Sequence, residues 1–401
     1  MSEKQHANAE QAPSVSLLLL IILGAIGAVT PLAIDMYLPA MPVIAQNLGV
    51  SDGLVQMTLT AYMAGFAIGQ LLHGPLSDTF GRKPVMLIGL ILFSVGAFIC
   101  ATVTSIEALS WVRAAQGFAG AAAAVVIQAV VRDMFEREDF ARVMSFITIV
   151  IIIAPLIAPV LGGNLAVWFG WRSIFWFLVI FSIIVIGMVI WLIPETLSAE
   201  NRQSFHVLNI LKNYAELCRS ARVLGLIFCG AFSFSGLFSF LTAGSFVYVN
   251  IFGVSPDMFG YLFGLNILTM MGMTTLNSRL VKRLGSRFML HFGLTVQLIS
   301  GCGLFLCWLL DSGLWGIVPC VMFYIGSIST IGSNSMGLLM SHYPRMAGTA
   351  SSLAGTLRFG TGAGIGAIVA SLPSGEVWPM LISMALCSVA ACVFYWILGR
   401  K

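Results

Sequence analysis

The chain has 401 residues, 59% of them hydrophobic and 9% charged, with a net charge of +4 and a mean hydropathy of +0.97. A water-soluble domain carries about 25% charged residues, so there is too little polarity here for a water-facing surface. Lipid is the solvent for most of the chain, and the small basic excess calls for no nucleic acid.

A polar tail, 1–14, precedes twelve uniformly apolar runs of roughly 20 residues, the length that crosses a bilayer as a helix. Uniform rather than alternating polarity argues for helices over a barrel. The first span, 15–38, carries Asp35 between Pro31 and Pro39. It is the one acid placed inside any span. Burying a lone charge in a membrane is costly, so such acids are usually functional; the plainer reading is an acid near the headgroups. The two prolines predict a kinked helix continuing beyond Tyr37.

The second span, 53–73, ends in "GPLSDTFGRK" (74–83), where Gly74 and Gly81 are expected to allow tight chain reversal. Asp78 is expected to accept hydrogen bonds from Arg82 and from amides at a helix N-terminus in the other half of the molecule. A solvated basic loop containing Lys83 is the alternative. After the third span, 84–103, the fourth, 106–130, carries Arg113 and, one turn on, Gln116. Arg113 sits at a level that allows an ion pair with Asp35 across a half-wet cavity, or bonds to backbone carbonyls instead. Gln116 would face the same cavity and bond substrate.

The fifth span, 140–166, contains "APLIAPVLGG", in which Pro155 and Pro159 remove ladder hydrogen bonds. Its Gly162 and Gly163, with Ala154 and Ala158, let another helix approach closely. The sixth span is 172–193. The polar linker 194–222 has apolar residues at helical spacing, Val207, Leu208, Leu211, Tyr214, Leu217 and Cys218, which predicts an amphipathic helix lying on the membrane surface, with a plain solvated linker as the alternative.

The second half, 223–401, holds spans at 223–249, 258–278, 288–309, 314–339, 347–371 and 377–398. Phe234 and Phe238 in the seventh and Asn266 in the eighth are expected to line a cavity for varied apolar ligands. Arg358, amid the glycines of the eleventh, meets an anionic or carbonyl group of substrate or bonds backbone. "NSRLVKRLGSR" (277–287) repeats the basic loop of the first half (15–193), with Lys282 near the position of Asp78. The expected architecture is all-α, twelve transmembrane helices in two pseudo-symmetric six-helix bundles. Such duplication across a linker is a transporter layout.

Seventeen of the twenty Lys and Arg residues fall in the tail, the even-numbered loops and the C-terminus, which predicts both termini in the cytoplasm. The eight cysteines show no CxxC spacing and read as apolar packing. No metal, cofactor, nucleotide-binding loop or catalytic triad stands out, so an enzyme is not expected.

Five stretches carry a resemblance to a known family. "GPLSDTFGRKP", "RAAQG", "APLIAPVLGG", and the pair "IDMYLPAMP" and "GTASSLAGTLRFGTGA" resemble the major facilitator superfamily, and within it the bicyclomycin-resistance (Bcr/CflA) subfamily of drug:proton antiporters. The resemblance implies the major facilitator fold, a monomer in the bacterial inner membrane, and a loop of Gly74, Asp78, Gly81, Arg82 and Lys83 that locks the cytoplasmic side. It implies that "RAAQG" belongs to proton coupling and "APLIAPVLGG" to the antiporter signature, although Ala154 and Ala158 stand where glycine is usual. The expected function is proton-driven export of varied drug-like molecules, with Asp35 and Arg113 coupling protons. An exporter of one metabolite, such as an amino acid, and a proton-coupled nutrient symporter are the alternatives.

Overall fold

The computed structural model describes residues 17–135, 137–202, 214–342, 347–373 and 375–400. The tail 1–14 and most of the expected linker helix lie outside the described residues. Every regular element among them is helical. The spans are Leu17–Leu48, Asp52–Phe80, Arg82–Thr102, Ile106–Met134, Arg137–Phe169 and Arg172–Leu192, then Ala221–Ile251, a pair within Pro256–Leu309, Gly313–His342, Ala347–Ser371 and Trp378–Gly399.

Pro256–Leu309 has 54 residues, about 80 Å of helix at 1.5 Å per residue, against about 30 Å of hydrocarbon. It is divided at Gly285, where the backbone leaves the helical region (φ 79°, ψ 156°). Two spans result, making twelve. Gly81 divides the second and third spans in the same way, at φ 103° and ψ 154°. The two basic loops therefore turn on matching glycines, in a conformation that strains any residue with a Cβ. Gly74 does not share that task. The second helix runs through it to Phe80, so the reversal expected at Gly74 belongs to Gly81 alone.

The first span is longer than its apolar run. Regular helix ends at Asp35, a 3₁₀ turn covers Leu38–Ala40, and helix resumes over Met41–Leu48. Pro39 and Pro42 lack the N–H that a continuous ladder would use, which is why the axis is interrupted there. Large apolar side chains such as Ile180, Ile183 and Leu386 face outward, as lipid contact requires. Exposed Trp111, Trp168 and Trp315 ring the end of the molecule that contains Asp52, while Trp191 and Trp396 lie toward the end with the basic loops. Aromatic girdles of this kind mark the two membrane interfaces.

The described end of the linker packs against the second half. Residues 214–218 are helical, Tyr214 and Leu217 are buried, and the Tyr214 hydroxyl is 3.0 Å from Ser352 Oγ of the eleventh span. The apolar stripe at this point packs on protein.

The halves meet along two helix pairs that exchange under the pseudo-twofold: second with eleventh and fifth with eighth. On the first seam Gly53 abuts the Ala370 carbonyl, Gly366 faces the hydroxyls of Thr60 and Thr242, and Phe66 meets Phe359 with ring centroids 4.6 Å apart. On the second, Gly163 abuts Pro256, Gly260 abuts Val160 and Gly264 abuts Leu156. Asn250 of the seventh span donates to Asp52 at 3.3 Å, tying the halves at the end opposite the basic loops.

Within the first half, the second and fourth spans cross on reciprocal glycines. A Cβ on Gly65 would collide with the Ala114 carbonyl, and one on Gly117 with the Tyr62 carbonyl. Overpacking of a tight contact costs about 1–3 kcal/mol. Gly65→Ala and Gly117→Ala are each expected to lower the melting temperature of the detergent-solubilised protein. Gly272→Ala and Gly337→Ala, which face open space, should leave it unchanged.

Candidate functional site

Asp35 occupies the last position of regular helix before the 3₁₀ turn and is 6% exposed. The next residue, Met36, lies with its backbone against Gly162, where a Cβ would collide with it. The glycine of "APLIAPVLGG" thus brings the fifth span onto the first beside Asp35, and its neighbour Gly163 reaches the eighth span of the other half. Pro155 and Pro159 lie within the continuous Arg137–Phe169 helix. The Tyr37 and Thr58 hydroxyls are 2.6 Å apart, and Thr30 Oγ1 donates to the Gly120 carbonyl at 3.5 Å, fixing the first span to the second and fourth. The Asp35 carboxyl itself makes no hydrogen bond or ion pair with a described residue.

The expected pairing with Arg113 is absent. Arg113 is fully buried among the first, second, fourth and sixth spans. Its guanidinium donates to the Ala33 carbonyl at 3.2 Å and to Gln116 Oε1 at 2.9 Å. It also lies 4.3 Å from the Tyr62 ring centroid and 4.7 Å from that of Tyr37, with Phe175 at 5.9 Å. Desolvated contacts of this kind contribute about 2 kcal/mol each, so rings, a carbonyl and an amide do the work expected of a carboxylate. Gln116 is likewise fully buried, set against Gly96 of the third span. It orients Arg113 and does not face a cavity. The tyrosines were missed in the sequence, although a tyrosine inside an apolar span is a visible signal.

In the second half, Phe234 and Phe238 are 5.1 Å apart, and each packs edge-on to Phe359, at 5.3 and 6.0 Å. Phe66 completes the cluster from the first half. The guanidinium of Arg358 lies 3.7 Å from the Phe234 ring centroid. The structure therefore unites Phe234, Phe238 and Arg358 and adds Phe66 and Phe359, which the sequence reading passed over even though Phe359 is adjacent to Arg358. Asn266 is buried on the eighth span, one turn from Phe263, which stacks on Phe240.

The basic loop is organised around Arg82, which is buried. It forms an ion pair with Asp78, donates from Nε to Asp133 at 3.1 Å and from Nη1 to Ser77 at 2.8 Å. The anion at the helix N-terminus is Glu195, just past the sixth span: its carboxylate accepts from the amides of Arg82 at 3.0 Å and Lys83 at 3.2 Å. Asp78 was expected in that position against the other half. The observed partners instead belong to the first half and the start of the linker, because Gly81 leaves the new helix's first amides facing Glu195. Lys83 Nζ donates to the Ile190 carbonyl at 2.8 Å.

Two six-span halves, a membrane-buried carboxylate and a mixed aromatic and cationic face between the halves define a membrane transporter rather than an enzyme. The chain belongs to the Major Facilitator Superfamily, whose family model matches residues 23–367. It falls among the bicyclomycin-resistance proteins of that superfamily. It is 41% identical to the "Bicyclomycin resistance protein homolog" of Haemophilus influenzae, over 95% of this chain and 96% of that protein. It is 29% identical to the "Chloramphenicol resistance protein" of Pseudomonas aeruginosa, over 90% and 86% of the two chains. To the "Multidrug resistance protein D" of Escherichia coli it is 27% identical, over 93% and 94%. Among solved structures, a D-xylose–proton symporter shares the fold with a TM-score of 0.73 at 15% identity, covering 95% of this chain and 97% of that one.

Removing one acid from the Arg82 cluster leaves a buried cation short of a partner, at a cost of about 1–3 kcal/mol. Asp133→Asn is expected to lower thermal stability by that amount. The double variant with Arg82→Gln should lose less than the sum of the two single losses, a coupling read by a double-mutant cycle of melting curves.

Proposed function

We infer that this protein exports drug-like molecules across the bacterial inner membrane in exchange for protons, with Asp35 as the proton site. The observation that carries the reading is Asp35, buried and without a hydrogen-bond or ion-pair partner among the described residues, beside the Gly162 contact that joins the first and fifth spans. A carboxyl in a dry site keeps its proton and one reached by water releases it. Motion of the halves about the Gly163 and Gly260 seam alters what surrounds Asp35. Arg113 supports this chemistry as a fixed positive charge in the same bundle, held by Gln116 and two tyrosines.

Substrate binds from the cytoplasm or inner leaflet on the face formed by Phe234, Phe238 and Arg358, with Asn266 on the adjoining eighth span. As it binds, Asp35 gives its proton inward. The halves rock, substrate leaves outward, and Asp35 is reprotonated there, at most one proton per cycle by this route. The relatives' names, which include bicyclomycin, chloramphenicol and multidrug resistance, support drug-like substrates. The clustering of basic residues supports both termini in the cytoplasm. The Arg82 cluster, with Gly74, Asp78, Gly81 and Lys83, serves as the cytoplasmic gate element, and the protein works as a monomer.

Asp35→Asn is the test. In everted membrane vesicles the variant is expected to keep substrate binding and lose export driven by a pH gradient. Unimpaired gradient-driven export in the variant would remove Asp35 from the mechanism.

A further inference from the structure

The two arginines inside the spans are housed differently. Arg113 is fully buried and is bonded by a carbonyl and an amide. Arg358 is half-buried, and its side chain makes no hydrogen bond and no ion pair with a described residue. Its Nε is enclosed without a partner among the described residues, as is that of Arg113, so the two differ at the Nη atoms. Nη1 lies 4.0 Å from where a side chain on Gly332 of the tenth span would begin. Among the described residues, the contact to its charge is the Phe234 ring, at 3.7 Å.

The acids of the second half are at span ends or in the linker: Glu216, Asp257, Asp311 and Glu376. Nearby polar groups are neutral, with Ser235 donating to Thr361 at 3.2 Å and Thr361 to the Arg358 carbonyl at 3.3 Å. An uncompensated cation in a membrane interior is costly. A ligand carrying one negative charge relieves that cost and forms charge-assisted hydrogen bonds to the guanidinium's planar fork. The rings of Phe234 and Phe359 beside it, backed by the fully buried Phe238, fit a flat aromatic body, and Phe66 closes the cluster from the other half.

We propose that Arg358 with Phe234, Phe238 and Phe359 forms an anion subsite that selects planar aromatic substrates bearing one ionised acidic group. This rests on the export reading above and names the substrate class of that same face. The acidic group binds the Nη atoms and the ring packs on the phenylalanines. Because the anion moves outward while a proton moves inward, such a substrate is driven by membrane potential as well as by the pH gradient.

The test uses purified full-length protein in lipid nanodiscs and a matched pair of probes, naphthoate and naphthamide, alike in shape and differing in charge. Wild-type protein is expected to bind naphthoate at least about tenfold more tightly than naphthamide, a ratio well within the reach of one charge-assisted contact. Arg358→Gln should abolish that ratio by weakening naphthoate alone, its unchanged naphthamide binding reporting an intact fold. Arg358→Lys, which keeps the charge without the planar fork, should retain part of the preference. Equal affinities in the wild type, or a preference that survives Arg358→Gln, overturn the subsite. If naphthamide binds in nanodiscs and is taken up by everted vesicles as well as naphthoate, the export reading stands and only the subsite falls. If the wild type binds neither probe, the subsite falls, while the export reading is judged by the Asp35→Asn experiment.

Discussion

A charge inside hydrocarbon has to be answered from within the protein, because neither water nor lipid will answer it. This chain places three such charges in its spans and treats each differently. Arg113 is surrounded by two tyrosine rings, a carbonyl and a glutamine, and is fully withdrawn. Arg358 has a ring and little else. Asp35 has no hydrogen-bond or ion-pair partner among the described residues. The proposed roles rest on this graded compensation: a structural charge at Arg113, and two charges proposed to exchange a proton or a ligand.

Those positions depend on how closely backbones approach. Without a hydrophobic force between helices in lipid, spans associate through packing at small residues. Gly162 sets the fifth span against the backbone beside Asp35, and Gly65 with Gly117 sets the second against the fourth. The latter crossing carries Tyr62 onto the Arg113 guanidinium. The same device at Gly53, Gly163, Gly260 and Gly366 brings the two halves together. These inter-half seams are glycine-lined at Gly53, Gly163, Gly260 and Gly366, with the Phe66 and Phe359 rings meeting on one of them. The crossing inside the first half is wedged by carbonyls and aromatic rings. Rigid halves joined by smooth seams are the physical requirement of alternating access.

In the basic loop, partners near in the chain and partners distant in it meet at one helix turn. Arg82 with Asp78 is a near-neighbour pair on one helical turn, so spacing alone exposes it. Asp133 and Glu195 come from segments distant in the chain and meet Arg82 only because the third, fourth and sixth spans pack together. The carboxylate of Glu195 takes the helix N-terminus, and Asp78 stays on its own turn.

Composition and the recurrence of apolar runs determined the membrane class and the twelve spans, because the length of hydrocarbon to be crossed is a property of the bilayer and is written directly into the run length. The Gly81 and Gly285 breaks were legible as matching loops, and the isolation of Asp35 among apolar residues marked it without any coordinates. Tertiary structure alone decided what those charges touch: Arg113 turning to rings and a carbonyl, Gln116 turning inward, Phe66 and Phe359 joining across the halves, and Glu195 reaching the third helix. Helical spacing assigns a residue to a face, but which helix lies against that face is set by the packing of distant segments, and that is where the identity of each partner resides.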